Sequence, residues 1–305
     1  MTISESSNEQ CDETCGGGTV ETKRARDDAA EALQDSTLYL RKAPMGNWAA
    51  RSRQPPRPEH EKPARKRLRD VSVKYTRTRV AQIDPQRLRE NRIVAMSEND
   101  PAAAAYKVLR THVLQRMRTK DWTTLAITSP AKGAGKTVTA INLAISLARD
   151  FKHTVLLVDF DLRQPSIARY FFDEPVPGLS EYITDDRPVA ELLVNPGIER
   201  LVLLPGDHSF THSSEVLCSA KMIELVDELK GRYENRLIIF DLPPVLSGDD
   251  VIAFQAYTDA IMLVAEERTN KDDLARAHEL LMTEKLIGAV MNKSHESTSR
   301  IGYPY

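Results

Sequence analysis

The sequence lacks the features that mark membrane-spanning, secreted and disulfide-stabilised proteins. None of its apolar runs approaches the roughly 18 residues that a transmembrane helix needs, so we expect no membrane span. Residues 1–10 have neither the basic nor the apolar region of a secretory signal. The 3 cysteines (Cys11, Cys15 and Cys218) are an odd number, which does not suggest a disulfide framework. These absences predict a soluble protein of the reducing cytoplasm.

A strong overall charge is also absent, because 42 Lys and Arg nearly balance 44 Asp and Glu. We therefore expect no nucleic acid partner. Basic residues are nevertheless concentrated in residues 51–80, much of which is interrupted by Pro. This segment is either a solvated linker or a region attracted to anionic lipid head groups or to an acidic partner.

The chain before residue 100 shows little periodic apolar pattern. Residues 1–70 are rich in Ser, Glu, Asp, Gly, Arg and Pro, a composition that predicts a disordered, Pro/Arg-rich extension. Residues 71–99 are interpreted as a linker, in which Val71–Val80 alternates weakly and predicts an edge strand. A helix is predicted to begin at Asp100–Pro101, since Pro is favoured in the first turn of a helix.

From Thr123 onward, apolar β-branched stretches alternate with amphipathic ones. This alternation predicts one α/β domain over residues 100–295, with a mostly parallel sheet covered by helices on both faces. The ligand of such a sheet binds at the carboxyl ends of its strands. The predicted strands are Thr123–Thr128, Thr154–Phe160, Arg200–Leu204, Arg236–Asp241, Ala260–Ala265 and Ile287–Met291. The predicted helices are Thr137–Arg149, Gln164–Phe171, Ala220–Tyr233, Asp249–Gln255 and Lys271–Glu284.

The most informative stretch is Ser-Pro-Ala-Lys-Gly-Ala-Gly-Lys-Thr, residues 129–137. An apolar strand precedes it and a helical stretch follows it, which is the setting of a phosphate-binding loop and predicts a P-loop NTPase fold. Glycines let the backbone N–H groups turn toward phosphate oxygens, and the positive end of the helix faces the same anion. Lys136 would reach the terminal phosphates, and the Thr137 hydroxyl would bind Mg²⁺. The predicted nucleotide-binding residues of the loop are Lys132, Gly133, Ala134, Gly135, Lys136, Thr137 and Val138.

One position departs from the usual G-x-x-x-x-G-K-[ST] pattern, because Pro130 replaces its first glycine. A glycine-rich turn that binds nothing is therefore the alternative interpretation. The strand before the loop and the helix after it favour a phosphate-binding loop.

Acidic residues close two of the apolar strands. Asp159 and Asp161 follow Val155–Val158, and Asp241 follows Leu237–Phe240. A carboxylate at the end of a strand beside a phosphate loop can hold Mg²⁺ directly or through water, since hard cations prefer oxygen ligands. Capping of the following helix is the structural alternative for each Asp. Three such residues beside one Gly-Lys-Thr loop favour a metal-nucleotide site with Thr137, Asp159, Asp161 and Asp241 as metal ligands.

At this point the chain resembles a known family, the bacterial tyrosine kinases of capsule and exopolysaccharide production. The resemblance covers about residues 100–293. It rests on the Gly-x-Gly-Lys-Thr loop, the apolar-Asp159-x-Asp161-x-Arg163 element, the apolar-Asp241-x-Pro243-Pro244 element and the Ala105-Tyr106-Lys107-x-Leu109-Arg110-Thr111 segment. Weaker matches are Ser214-Glu215-Val216-Leu217 and Gly288-Ala-Val-Met-Asn292-Lys293.

The resemblance implies an ATP- and Mg²⁺-dependent protein-tyrosine kinase whose γ-phosphoryl group passes to tyrosines of a C-terminal tail, usually that of a neighbouring subunit. Asp159 or Asp161 would accept the phenol proton, because a phenol has a pKa of about 10. Asn292 would contact the adenine ring. The implied catalytic residues are Lys136, Asp159, Asp161, Asp241 and Arg163.

Two departures bear on the substrate and on assembly. The tail, residues 296–305, offers only Tyr303 and Tyr305 as phosphate acceptors, where the family has a richer cluster. Family members usually contact neighbouring subunits through a Glu-x-x-Arg-x-x-Arg motif. At the three named positions of this motif the present chain has Ala104, Lys107 and Arg110. The resemblance therefore leaves both a homo-oligomer and a monomer as alternatives. The family's membrane partner, a polysaccharide chain-length-determinant protein, implies a peripheral location at the inner face of the membrane.

Two other functions fit the same motifs. An ATPase switch of the partitioning or division-site type shares the Asp-x-Asp strand, but carries an extra lysine at the position of Ala131; Lys132 stands one place later. A non-catalytic nucleotide-binding scaffold of the export machinery would fit the sparse tail and the missing Glu. Measurements of ATP hydrolysis and of phosphotyrosine formation would distinguish these two functions from a kinase.

Overall fold

The structure, a computed structural model, describes residues 78–97, 100–233 and 235–294. The predicted extension (residues 1–70) and the predicted tail (296–305) lie outside these residues. The strands are β1 (Arg79–Val80), β2 (Thr124–Thr128), β3 (Thr154–Asp159), β4 (Val194–Asn195), β5 (Leu201–Leu204), β6 (Arg236–Asp241), β7 (Ala260–Glu266) and β8 (Leu286–Asn292). The helices are α1 (Pro85–Glu90), α2 (Pro101–Thr119), α3 (Lys136–Ala148), α4 (Ile167–Phe171), α5 (Leu179–Asp185), α6 (Val189–Leu192), α7 (Ser213–Leu217), α8 (Ala220–Gly231), α9 (Asp250–Phe254) and α10 (Lys271–Leu280).

The strands form an eight-stranded sheet in the order β1-β4-β5-β3-β6-β2-β7-β8. Within the described part of the chain, neighbouring strands run parallel except for β4 and β5. The predicted fold class, a mostly parallel α/β sheet, is therefore confirmed. Of the predicted edge strand Val71–Val80, residues 71–77 lie outside the described residues, and the last two form β1 at one edge of the sheet.

Both faces of the sheet are buried, which explains why the strands read as continuous apolar runs. Successive side chains of a strand point to opposite faces. Leu125 and Ile127 of β2 accordingly belong to one apolar cluster with residues of α2 and α3. Ala126 belongs to a second cluster with residues of α8. Period-two alternation between two covered faces thus places the core on both sides of the central strands.

Three predicted helices were too long by two residues or more at one end. The predicted helix Gln164–Phe171 begins only at Ile167. Gln164 precedes a Pro, which disfavours helical backbone, and its N–H donates to Asp161 Oδ1 at 3.0 Å instead. The predicted helix Lys271–Glu284 ends at Leu280, because Leu281 is extended and the Met282 N–H donates to the side chain of Gln255.

The third of these helices, predicted as Ala220–Tyr233, ends at Gly231, where glycine weakens a helix. Short elements without a usable apolar period were not predicted at all, and they include α1, α5, α6, α7 and β4. The sheet order places β6 between β3 and β2. The carboxyl ends of these three neighbouring strands carry the predicted site.

Candidate nucleotide site

The loop between β2 and α3 has the backbone that phosphate binding requires. Gly133 has φ +87° and Gly135 has φ +88°, a left-handed conformation that favours glycine. Gly135 is the N-cap residue just before α3, and no side-chain hydrogen bond from the described residues caps that helix. Those N–H groups and the helix dipole therefore remain available to an anion.

Lys136, the first residue of α3, joins the loop to the carboxylates of Asp161, which follows β3, and Asp241, which closes β6. Its Nζ lies 2.8 Å from Asp161 Oδ2 and 3.5 Å from Asp241 Oδ1. Burial by itself lowers the pKa of Lys136, but the negative charges of Asp241 and Asp161 outweigh it, so this pKa lies above its ordinary value. The lysine is therefore charged at neutral pH.

Asp241 closes β6 and is fully buried. Its Oδ2 accepts a hydrogen bond of 2.6 Å from Thr137 Oγ1. Burial raises the pKa of Asp241, while Lys136 and the Thr137 hydroxyl act in the opposite direction. The Thr137 hydroxyl and a buried carboxylate thus stand side by side, which is the donor set that a phosphate-bound Mg²⁺ uses.

Asp159 and Asp161 have separate partners although they are two residues apart. Asp159 closes β3, and its Oδ2 accepts the N–H groups of Ser166 and Ile167, both at 2.8 Å. Burial, and then the charge of Asp241, raise the pKa of Asp159 to about 7. The Asp159 Oδ1 atom is buried without a hydrogen-bond partner among the described residues. Asp161 lies beyond the end of β3 and pairs with Lys136.

Arg163, predicted as catalytic, is directed toward α9. Its Nε donates to Asp250 Oδ2 at 2.8 Å, and its Nη2 lies 3.7 Å from Asp249 Oδ1. Asp250 is buried and also accepts a hydrogen bond from the Ser213 hydroxyl. Arg163 also lines the cleft above the phosphate loop. Its catalytic role stays a prediction.

The end of β8 fixes the loop from the other side. Asn292 Nδ2 donates to the Ala134 carbonyl oxygen at 2.9 Å, and Lys293 Nζ donates to the Gly133 carbonyl oxygen at 2.6 Å. Lys293 also pairs with Glu266 at 2.7 Å. The structure therefore brings Asn292 to the loop, while its expected contact with an adenine ring stays a prediction, and the contact of Lys293 with the loop was missed. Its position directly after Asn292 was the available signal.

A cleft of about 1100 Å³ opens above the loop. Of the predicted nucleotide-binding residues, Lys132, Gly133, Gly135, Lys136, Thr137 and Val138 line it. Ala134 is buried, and Asp159 and Asp241 are fully buried beside the cleft. Residues of α4 and the following turn form another wall that the sequence motifs did not indicate. That wall includes Ala168, Arg169, Tyr170, Phe172 and Asp173.

The residues of this cleft fit a magnesium nucleotide. The loop offers N–H groups and a nearly buried ammonium group to phosphates, and Asp159 Oδ1 is a buried acceptor that no described residue hydrogen-bonds. Among the described residues, no group of three or more His, Cys, Asp and Glu side chains is gathered so as to hold a metal by itself. Mg²⁺ would therefore depend on phosphate oxygens and water besides Thr137 and a carboxylate. The predicted metal ligands Asp159, Asp161 and Asp241 stay predictions.

No helix within residues 78–97, 100–233 and 235–294 is both long and apolar enough to span a bilayer.

Comparison with known proteins identifies the family. The AAA domain family matches residues 122–293. Tyrosine-protein kinase YwqD of Bacillus subtilis is 31% identical over 228 residues, which cover 71% of this chain and 95% of YwqD. The chain belongs to the bacterial tyrosine kinases. Another member, tyrosine-protein kinase CpsD of Streptococcus pneumoniae, is 30% identical over 182 residues, or 58% of this chain and 79% of CpsD.

Solved bacterial tyrosine kinase domains share the fold. The chimerical protein CapA2B2 has a TM-score of 0.62 at 27% identity, over 72% of this chain and 95% of that one. The VpsO kinase domain has a TM-score of 0.57 at 26% identity, over 68% of this chain and 98% of that one. Against EpsB of Ralstonia nicotianae, by contrast, the match spans 27% of that longer protein.

Two features of this bacterial tyrosine kinase concern assembly and substrate. Ala104 and Lys107 are exposed on α2, whereas Arg110 Nη1 donates to the Ser146 carbonyl oxygen at 3.0 Å. Arg110 thus contacts the helix of the phosphate loop within its own chain. Tyr303 and Tyr305 lie outside the described residues.

Proposed function

We propose that this chain is an ATP-dependent protein-tyrosine kinase that phosphorylates Tyr303 and Tyr305 of its C-terminal tail. We further propose that it works at the inner face of the membrane with a membrane-embedded chain-length-determinant protein, in capsule or exopolysaccharide production. The observation that carries the proposal is the contact of Lys136 Nζ with Asp161 Oδ2 and Asp241 Oδ1 at the end of a phosphate loop. Membership of the bacterial tyrosine kinases supports the choice of tyrosine as acceptor.

The roles of the side chains follow from their positions. Thr137 and Asp241 would hold Mg²⁺, which spreads the negative charge of the phosphates when it is bound. Lys136 brings a buried positive charge to the same phosphates. Asp161 lines the cleft, whereas Asp159 is buried beneath it. Asp161 is therefore assigned as the acceptor of the phenol proton.

Phosphoryl transfer needs no reactant besides ATP and the acceptor tyrosine. The phenol oxygen of the acceptor tyrosine forms a bond to the γ-phosphorus, and the bond from that phosphorus to the β–γ bridging oxygen breaks. The phenol proton moves to Asp161, and ADP leaves with the bond electrons. Most of the rate would come from in-line positioning and from neutralised phosphate charge.

The test is incubation of the purified full chain with labelled ATP and Mg²⁺, with and without its membrane partner. We expect phosphotyrosine in the tail. Lys136→Ala should abolish it, and the double change Tyr303→Phe with Tyr305→Phe should remove the label while nucleotide binding persists. Absence of phosphotyrosine under both conditions would contradict the proposal.

The same experiment separates the two alternatives. Steady ATP hydrolysis without phosphotyrosine would indicate an ATPase switch of the partitioning or division-site type. Nucleotide binding with neither turnover nor labelling would indicate a scaffold.

A further inference from the structure

A segment that lies ahead of residues 122–293, the part of the chain that the AAA domain family matches, packs into the core of the fold. This segment, residues 84–95, is called the clasp. Asp84 caps α1 by accepting the Gln86 N–H at 2.8 Å. Leu88, Ile93 and Ala95 are buried in the same apolar cluster as α3. The clasp is therefore part of the folded domain.

The clasp holds the carboxyl-terminal end of α4 through Arg87. Its Nε and Nη2 donate to the Arg169 carbonyl oxygen at 3.1 and 2.8 Å. Its Nη1 forms an ion pair with Asp173. The last carbonyl groups of a helix lack partners within the helix, and a basic side chain there satisfies them. A helix of five residues has little stability of its own, so such outside contacts determine where α4 lies.

The opposite end of α4 is held by the site itself. Asp159 Oδ2 accepts the N–H groups of Ser166 and Ile167 at the start of the helix. The same short helix is therefore bound at one end by a buried carboxylate of the site and at the other by Arg87. Between these ends it contributes Ala168, Arg169 and Tyr170 to the wall of the cleft.

The clasp also contacts the helix of the phosphate loop. Asn142 of α3 accepts the N–H groups of Val94 and Ala95 at 2.8 and 2.9 Å. Its amide nitrogen donates to the carbonyl oxygens of Arg92 at 3.1 Å and Val138 at 2.9 Å. The clasp thus binds both α3 and α4, two elements that line the cleft.

We propose that the clasp sets the position of α4 in the cleft, with Arg87 as a positioning residue for phosphoryl transfer. The inference rests on the proposed kinase function for its effect on rate, but not for its effect on structure. Loss of Arg87 should loosen α4 while the phosphate loop, which is held by β2 and β8, keeps its conformation.

The first experiment is hydrogen–deuterium exchange on the full chain without nucleotide. Arg87→Ala should raise the exchange of the amides of residues 168–173 about tenfold. Arg89→Ala is the matched control, since Arg89 is exposed on the same helix. Arg87→Lys should restore protection only in part, because one ammonium group replaces a planar fork of donors. Unchanged exchange at residues 168–173 overturns the proposal, and so does an equal rise over the whole domain.

The second measurement is self-phosphorylation at saturating ATP. Arg87→Ala should lower the rate about fivefold and change the KM for ATP less than about twofold, since the loop is intact. A change confined to KM would contradict the positioning role. If wild-type protein forms no phosphotyrosine, the proposed function fails, while hydrogen exchange still decides whether the clasp positions α4.

Discussion

The Nζ atom of Lys136 lies 2.8 Å from Asp161 Oδ2, so the lysine that is predicted to bind phosphate is already paired with a carboxylate. Both side chains are nearly buried, with exposed fractions of 12% and 8%. An incoming phosphate therefore competes with Asp161 for the same ammonium group. We therefore expect loss of either partner to destabilise the nucleotide-free protein.

Lys136→Ala should lower the free energy of unfolding of the nucleotide-free protein by roughly 3 kcal/mol, because it leaves buried carboxylates without their cation. Lys132 is an exposed lysine of the same loop. Lys132→Ala should therefore change the free energy of unfolding by less than about 0.5 kcal/mol. Urea unfolding at pH 7 measures both. Equal stabilities of the two variants would show that the ion pair contributes nothing.

Asp159 should make the protein less stable as the pH rises. Its pKa is about 7 when folded, against 3.8 as the ordinary value, so the folded state binds more protons between these pH values. The free energy of unfolding therefore falls from about pH 4 to pH 7. Asp159→Asn should raise it by roughly 2–4 kcal/mol at pH 8, with a difference that disappears toward pH 4. Urea unfolding with a chelator present tests this.

Asp207 is a control residue, because its pKa is shifted in the direction opposite to that of Asp159. Although burial opposes it, hydrogen bonds from Ser180 and His208 hold the pKa of Asp207 below its ordinary value. Its contribution to stability is therefore present above the ordinary pKa and is lost as the pH falls. Asp207→Asn should destabilise the protein at pH 7 and less so at low pH. Parallel pH profiles for the two variants would contradict at least one of the two assignments.

Gly135→Ala should disrupt the phosphate loop more than Gly133→Ala does. Both glycines have a positive φ, and alanine there costs about 1–2 kcal/mol. A Cβ on Gly133 meets open space, whereas one on Gly135 would lie 2.1 Å from Asn292 Nδ2. Adding Asn292→Ala to Gly135→Ala should recover the part of the loss that the collision causes. A double-mutant cycle on thermal stability and ADP affinity measures this coupling, and additive effects would rule it out.

Asp250→Ala should destabilise the protein by roughly 2 kcal/mol, because it removes the charged acceptor of Arg163 and the acceptor of the Ser213 hydroxyl. Asp249→Ala is matched to it, since this neighbouring carboxylate is 71% exposed and 3.7 Å from Arg163. Its effect should stay within about 0.5 kcal/mol. Chemical unfolding of the two variants compares them directly. A larger loss from Asp249→Ala would contradict the assigned roles.

The long buried elements could be predicted from sequence because their physical signals are local. Strand β6 was predicted with the observed bounds, Arg236–Asp241, since an apolar β-branched run ends at an acidic residue. The bounds of β3 and α3 were within one residue. The loop glycines and Lys136 follow from the same local pattern.

The remainder depends on contacts between distant segments. Strand β4 is two residues long and acquires its identity only by pairing with β1 and β5. The bond between Arg87 and Arg169 joins residues 82 positions apart. Asp173 and Tyr170 reach the cleft from a short helix and turn that carry no motif. No local sequence pattern predicts contacts between such distant residues.

The position of β6 between β3 and β2 has a consequence for synthesis of the protein. The phosphate loop leaves β2 and is translated early, but its buried partner Asp241 follows more than a hundred residues later. A nascent chain that stops short of β6 has neither the neighbouring strand nor this carboxylate. We expect adenine nucleotide to bind ribosome-held chains only once Asp241 has emerged, and therefore not before β6 can pair with β2 and β3.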